Sequence, residues 1–96
     1  MILTHEERFA DFVHHLMRCR TIEFRYKDIP YIIGDCENTT YIEDCSRGVK
    51  TYFGKRFGSL DDKISGRKQL LYAKIFDKKA FAEIFDEIKI LSVTEE

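Results

Sequence analysis

Between Phe9 and Met17 the apolar residues fall at helical intervals. Phe9, Phe12, Val13, Leu16 and Met17 stand at i, i+3, i+4, i+7 and i+8, one stripe of an amphipathic helix. Glu6, Arg8, Asp11, His14, His15 and Arg18 fill the other side. Thr4 and Glu7 have capping-box spacing, which places the start of the helix, and its end is expected near Cys19-Arg20. At Thr21 the interval drops to two: Ile22, Phe24 and Tyr26 alternate with Glu23, Arg25 and Lys27, the pattern of a half-buried strand. Lys27-Asp28 reads as a tight turn into a return strand at Tyr31-Ile32-Ile33. Pro30 stands at that strand's beginning, where a missing N–H does least harm. A further turn is expected between Gly34 and Asn38. Tyr41 and Ile42 then continue the meander, and Val49–Phe53 reads as a further short strand. Gly54 and Gly58 break the chain on either side of Lys55-Arg56-Phe57.

The last third returns to helical spacing. Ser59 and Asp62 have N-cap spacing before a segment that ends in Leu70-Leu71-Tyr72, with Gly66 expected to interrupt it. Asp77 is the expected N-cap of a final helix, with Phe76 stapled onto Phe81 and an apolar face of Phe81, Ile84, Phe85 and Ile88. From Ile88 to Val93 the helical period is lost, and the segment reads as an edge strand. The sum is a single α+β domain over residues 1–96: an antiparallel sheet of three to five strands, covered on one face by N-terminal and C-terminal helices. The expected core is Phe9, Phe12, Leu16, Phe24, Tyr26, Ile32, Phe81, Ile84 and Phe85.

Composition narrows the class without naming a function. A chain of 96 residues with 44% apolar content, five Gly and one Pro builds one core and is neither disordered nor collagen-like. No apolar run approaches the ~20 residues of a membrane span. Met1 to Glu7 lacks the basic and apolar stretches of a secretory signal, so a cytoplasmic domain is expected, with no membrane partner. Cys19, Cys36 and Cys45 are odd in number and form no C-x-x-C, so neither a disulfide framework nor a zinc knuckle is indicated. A hairpin turn centred on Asn38-Thr39 would put Cys36 opposite Tyr41 and Cys45 opposite Ile32. In that register the two cysteines do not meet, and free thiols are expected.

Two stretches carry a resemblance. One is Ile22-Glu23-Phe24-Arg25-Tyr26 with the short turn into Pro30-Tyr31-Ile32-Ile33. The other is the leucine-rich turn into Ile75-Phe76-Asp77-Lys78-Lys79, followed by Phe81-Ala82-Glu83-Ile84-Phe85-Asp86-Glu87-Ile88. Together, about a third of the chain, they resemble a family of small α+β proteins of Gram-positive bacteria and their phages. That family often has Gly where Asp77 stands, which implies a turn and cap at that point. No activity is attached to it, so the resemblance carries over no catalytic residue. It implies one form a binding protein could take here: an inhibitor of a host defence system, such as an anti-CRISPR protein.

Candidate chemistry is sparse. Asp11, His15 and Cys19 stand at i, i+4 and i+8, an acid, a base and a nucleophile along one helix face. A convex row offers no pocket or oxyanion site, so the expected role is a solvated helix face, with a small hydrolase using His15 and Cys19 as an alternative. His14 and His15 point roughly 100° apart on a helix and do not grip one metal by themselves; no metal and no cofactor are expected. Arg47 to Lys55 has five residues between Gly48 and Gly54 where a phosphate loop has four, and Arg56 stands where that loop needs Ser or Thr.

Charge is more informative than motifs. The net charge is −1, yet residues 46–58 hold Arg47, Lys50, Lys55 and Arg56 and no acid. One reading is a solvated loop partly neutralised by the preceding acids Asp35, Glu37, Glu43 and Asp44. The sharper reading is a non-enzymatic binding module whose contact region is Arg47, Lys50, Tyr52, Phe53, Lys55, Arg56 and Phe57, with the aromatics as stacking surfaces. Four cations are too few for strong nonspecific DNA binding. A protein or ribonucleoprotein partner is expected, with a small anionic ligand or nucleotide as the alternative.

Overall fold

The computed structural model describes residues 5–56 and 58–94. Helix α1, His5–Arg18, leads into four strands, β1 Thr21–Tyr26, β2 Ile29–Cys36, β3 Thr39–Asp44 and β4 Val49–Phe53. Helix α2, Leu60–Tyr72, follows. A single turn, α3 Phe81–Ile84, passes through a 3-10 turn at Phe85–Glu87 into β5, Ile88–Thr94. The strands form one antiparallel sheet in the order β4-β3-β2-β1-β5, so the last strand returns to pair with the first. This is the α+β architecture that the change of hydrophobic period predicts. The expected cap at Thr4 lies outside the described residues.

Two tight turns set the register. Lys27 and Asp28 (φ 50° and 63°) join β1 to β2, and Glu37 and Asn38 (51° and 61°) join β2 to β3. Both are left-handed at their two central positions, the hairpin turn whose twist matches that of the strands. The second turn comes one residue earlier than the sequence reading places it, so Cys36 faces Thr39 rather than Tyr41, and Ile32 faces Glu43 rather than Cys45. Asn tolerates the left-handed region and a β-branched Thr does not, which keeps Thr39 in the strand. All three cysteines are free, with Cys19 buried.

The core lies on the face of the sheet that the helices cover. Phe12 and Leu16 of α1 meet Ile22, Phe24 and Tyr26 of β1, Ile33 of β2 and Ile42 of β3, with Leu70, Leu71, Phe76, Phe81, Ile84 and Phe85 closing the cluster. Its centre is aromatic: Phe81 packs on Phe12, Phe24 and Phe76 at ring-centroid distances of 5.5, 5.4 and 4.8 Å. Two expected core residues differ. Phe9 is half-buried at the cluster's edge, and Ile32 points to the opposite face while its neighbour Ile33 is fully buried. The Lys27-Asp28 turn explains the second, since it pairs Ile33 with the inward Ile22.

Gly66 does not interrupt α2, whose N-terminus Ser59 caps by accepting from the Asp62 N–H at 3.4 Å. The glycine is where the helix crosses the sheet. A Cβ there would sit 3.0 Å from the Phe53 carbonyl oxygen, and a Cβ on Gly54 would sit 2.8 Å from the Gly66 Cα. Asp77 is not a helix cap. With Lys78 it forms another left-handed turn (φ 52° and 67°), closed by hydrogen bonds between Phe76 and Lys79. The helix starts later, at Phe81, where the Glu83 carboxylate accepts the Ala80 N–H at 2.7 Å. Three buried aromatic and aliphatic residues within five positions favour a short, tightly packed turn over a longer solvated helix.

Candidate functional site

The basic segment is not one patch, because most of it is strand β4. Arg47 lies in the turn before β4, and Lys55 and Arg56 lie in the loop after it, on the order of 17 Å of strand apart. Both ends carry ion pairs: Arg47 Nε with Asp44 Oδ2 at 3.1 Å, and Lys55 Nζ with Asp62 Oδ1 at 3.6 Å. The Ser46 hydroxyl, its N–H and Arg47 hold the Asp44 carboxyl below the usual range; the Gly58 N–H and Lys55 do the same for Asp62. Within β4 the side chains alternate. Phe53 turns inward against the core and is not a stacking surface, whereas Lys50 and Tyr52 face outward. Phe57 lies outside the described residues.

Lys50 and Tyr52 join a cluster on the sheet face that none of the described helices covers. Tyr41 of β3 stands opposite Gly34 of β2, and its ring lies across that glycine, where an added Cβ would meet its hydroxyl at 3.2 Å. Lys50 Nζ stands 4.8 Å from the Tyr41 ring centroid, and the Tyr52 ring centroid lies 6.1 Å from it. Tyr52 remains 52% exposed. Burial pushes the Tyr41 hydroxyl up, with Lys50 pulling the other way. A cation–π contact of this kind is worth roughly 0.5–1 kcal/mol at the surface, a bias that holds Lys50 near Tyr41 part of the time. Beside them the face carries Ile32 between Glu23 and Glu43, in register with Lys50. The sequence reading places Tyr41 only as a strand residue; the glycine opposite it is the feature that lets its ring lie flat.

A second constellation is buried. Arg67 of α2 has no exposed side-chain surface and Lys63, one turn earlier, 4%. The Arg67 guanidinium donates to Asp35 Oδ1 at 2.9 Å, Thr40 Oγ1 at 3.1 Å, the Leu16 carbonyl at 2.9 Å and the Arg20 carbonyl at 3.4 Å. Lys63 Nζ lies 3.4 Å from the other Asp35 oxygen. The cation therefore sits against the C-terminal carbonyls of α1, where the helix dipole favours it, and ties α1, α2, β2 and β3 together. Cys19 closes the cluster, with its sulfur 3.7 Å from Arg67 Nη1; burial pushes its thiol up and Arg67 opposes the shift. Asp11 and His15 pair at 3.7 Å on the solvent side of α1. The structure thus separates Cys19 from the exposed acid–base pair that the i, i+4, i+8 spacing lined up.

Sequence spacing holds a signal for this cluster. Lys63, Arg67 and Leu70 stand at i, i+4 and i+7, so the two cations share a face with a leucine that the core claims. No helix among the described residues is long and apolar enough to cross a membrane. Comparison of the chain with protein-family models, with curated proteins and with solved structures gives no match.

Proposed function

We propose that this protein is a non-catalytic binding module that docks on a folded protein through the open face of its sheet, with Tyr41, Lys50 and Tyr52 at the centre of contact. The observation that carries this reading is the cluster itself: two tyrosines and a lysine gathered on a face no described helix covers. Aromatic residues concentrate binding energy at interfaces, and even a partial bias toward that arrangement lowers the entropy cost of association. Five strands about 4.8 Å apart and about 20 Å long give a flat footprint of roughly 400–500 Å². Side-chain relief brings that toward the ~800 Å² per partner of a standard interface.

Charge favours a protein over nucleic acid. Glu23 and Glu43 share the face with Arg25 and Lys50, so a bare phosphate backbone meets repulsion as well as attraction. The cations at either end, Arg47, Lys55 and Arg56, suit acidic side chains at a partner's rim. An inhibitor that occupies or blocks a host defence nuclease, as in anti-CRISPR proteins, is one form this docking takes.

The test is capture from host lysate by three versions of the protein with matched melting temperatures: wild type, Tyr41→Ala/Lys50→Glu/Tyr52→Ala, and Arg47→Glu/Lys55→Glu/Arg56→Glu. Loss of one specific partner with the first variant, and weakening with the second, is expected. Retention of the same partner by the open-face variant defeats the reading. Capture of no protein, together with stabilisation of wild type by a small anion, favours the anionic-ligand alternative.

A further inference from the structure

At the opposite side of the sheet, where β1 turns into β2, a cleft of about 340 Å³ opens beneath the loop 75–77. Its volume is at the lower end of the ~300–1,000 Å³ typical of small-molecule sites. It lies on the inner face and shares neither Tyr41, Lys50 nor Tyr52 with the docking surface. Three observations set its chemistry.

The first is its charge. One wall carries Lys27 paired with Asp77 at 3.2 Å, and the other carries Arg47 paired with Asp44 at 3.1 Å. Each wall therefore presents one cation and one carboxylate. A simple anion is attracted to Lys27 and Arg47 and repelled by both carboxylates; a simple cation meets the reverse. A ligand with both charges a few ångströms apart satisfies both signs.

The second is an orphan. Tyr26 lines the cleft, is 2% exposed, and its buried hydroxyl has no hydrogen-bond acceptor among the described residues. Lys27 Nζ lies 5.3 Å from the Tyr26 ring centroid, close enough that Tyr26, after Asp77, helps hold the ammonium protonated, but an ammonium only donates and gives the hydroxyl's own hydrogen no acceptor. Buried hydroxyls are almost always paired, so this one is a donor awaiting an acceptor. A ligand carboxylate that displaces the Lys27 side chain from the hydroxyl supplies that acceptor.

The third is an apolar lining, supplied by Ile29, Ile75 and Phe76 beside the charged rim. We propose that this cleft is a binding site for a free α-amino acid with an apolar side chain. Its carboxylate meets Lys27, Arg47 and the Tyr26 hydroxyl, its ammonium meets Asp44 and Asp77, and its side chain lies against Ile75 and Phe76.

The probes are L-leucine and L-phenylalanine, N-acetyl-L-leucine, which lacks the ammonium, and L-leucinamide, which lacks the carboxylate. Each is titrated to millimolar concentration into the full chain while backbone amide NMR signals are followed. Saturable shifts confined to residues 26–31, 44–47 and 75–77 are expected with at least one free amino acid and with neither blocked compound. Tyr26→Phe and, separately, Asp77→Asn should each weaken binding about tenfold with the spectrum otherwise preserved. Asn keeps the left-handed backbone that position 77 needs. No saturable shift with either amino acid, equal shifts with a blocked compound, or unchanged affinity in both variants overturns the proposal. None of these outcomes depends on whether the outer face binds a protein.

Discussion

Asp35 faces two buried cations at once, Arg67 at 2.9 Å and Lys63 at 3.4 Å, so its loss takes a carboxylate partner from both. Removing one partner of a buried ion pair leaves charge without compensation, which costs about 3–5 kcal/mol. Asp35→Ala should therefore lower unfolding stability in urea by about that amount, a large share of what a domain this size has. Arg67→Met placed in the Asp35→Ala background should recover part of the loss, because it removes an uncompensated cation. A loss below about 1 kcal/mol for Asp35→Ala would mean that water, not the protein, neutralises the site. The half-buried carboxylates Asp44 and Asp62 behave differently. Asp44 and Asp62 have lowered values in the folded state, so their contribution is present above the unfolded carboxylate value and fades as pH falls through the folded one. The difference in urea midpoint between wild type and Asp44→Asn/Asp62→Asn should be constant above about pH 5 and shrink steadily below about pH 4. A difference that grows on acidification contradicts the assignment. At this scale the sequence was only partly legible. The turn at Lys27-Asp28 already implied that Ile33, not Ile32, faces the core, but three consecutive apolar residues hid the parity. Arg67 was hidden for another reason, since an arginine at helical spacing is ordinarily solvated and only tertiary packing draws it inward.

The elements were more legible than their ends. Both hydrophobic periods survived in the structure because burial on one face selects for them, whereas caps and turns depend on one or two residues each. Glycine in mid-helix looked like a break by propensity, but the contact between Gly66 and β4 makes it a packing device. Gly→Ala in an exposed helix interior usually stabilises by roughly 0.8–1 kcal/mol. Gly66→Ala should instead destabilise by about 1 kcal/mol or more, because its Cβ presses on the backbone oxygen of Phe53, which cannot turn aside. Ser65→Ala, one position earlier on the exposed side, is the control and should be neutral or slightly stabilising. If both alanines stabilise in thermal unfolding, the close approach of α2 to β4 is not what requires glycine at position 66. The final helix is present but its expected cap is not, for the converse reason: Asp77 has the chemistry of a cap, but left-handed backbone at Asp77-Lys78 spends it on a turn.

At the scale of the whole molecule, the basic segment was visible as charge but not as geometry. Strand alternation divides Lys50 and Tyr52 from Phe53, a division that linear sequence shows only once the strand is known to be half-covered. The two candidate binding regions end up on opposite faces of one thin sheet, and Arg47, at a hairpin tip, is near both. Substitutions at Arg47 are thus poor discriminators. Tyr52→Ala should affect only docking on the outer face, and Tyr26→Phe only the inner cleft, as read by the capture and NMR experiments above.

The sheet order also sets a timetable. Strands β1 to β4 are joined by short turns, so each pairing closes a loop of a few residues. β5 pairs with β1 across about sixty residues of intervening chain, as at Tyr26 and Ile88. Closing a loop that long costs roughly 3 kcal/mol more entropy than closing the Tyr26–Ile29 hairpin. The meander and α1 therefore assemble first, and β1 waits as a temporary edge until α2 and the Phe81–Phe85 turn have packed and brought β5 within reach. The bulge at Glu23/Phe24 and three exposed apolar side chains on β5, Ile90, Leu91 and Val93, weaken that last seam further. In native-state hydrogen exchange, the β5 amides bonded to β1 should open at lower free energy than those between β1 and β2. The outermost strand pairing is then the first to let go, and a half-open protein exposes the inward edge of β1 before it loses its core.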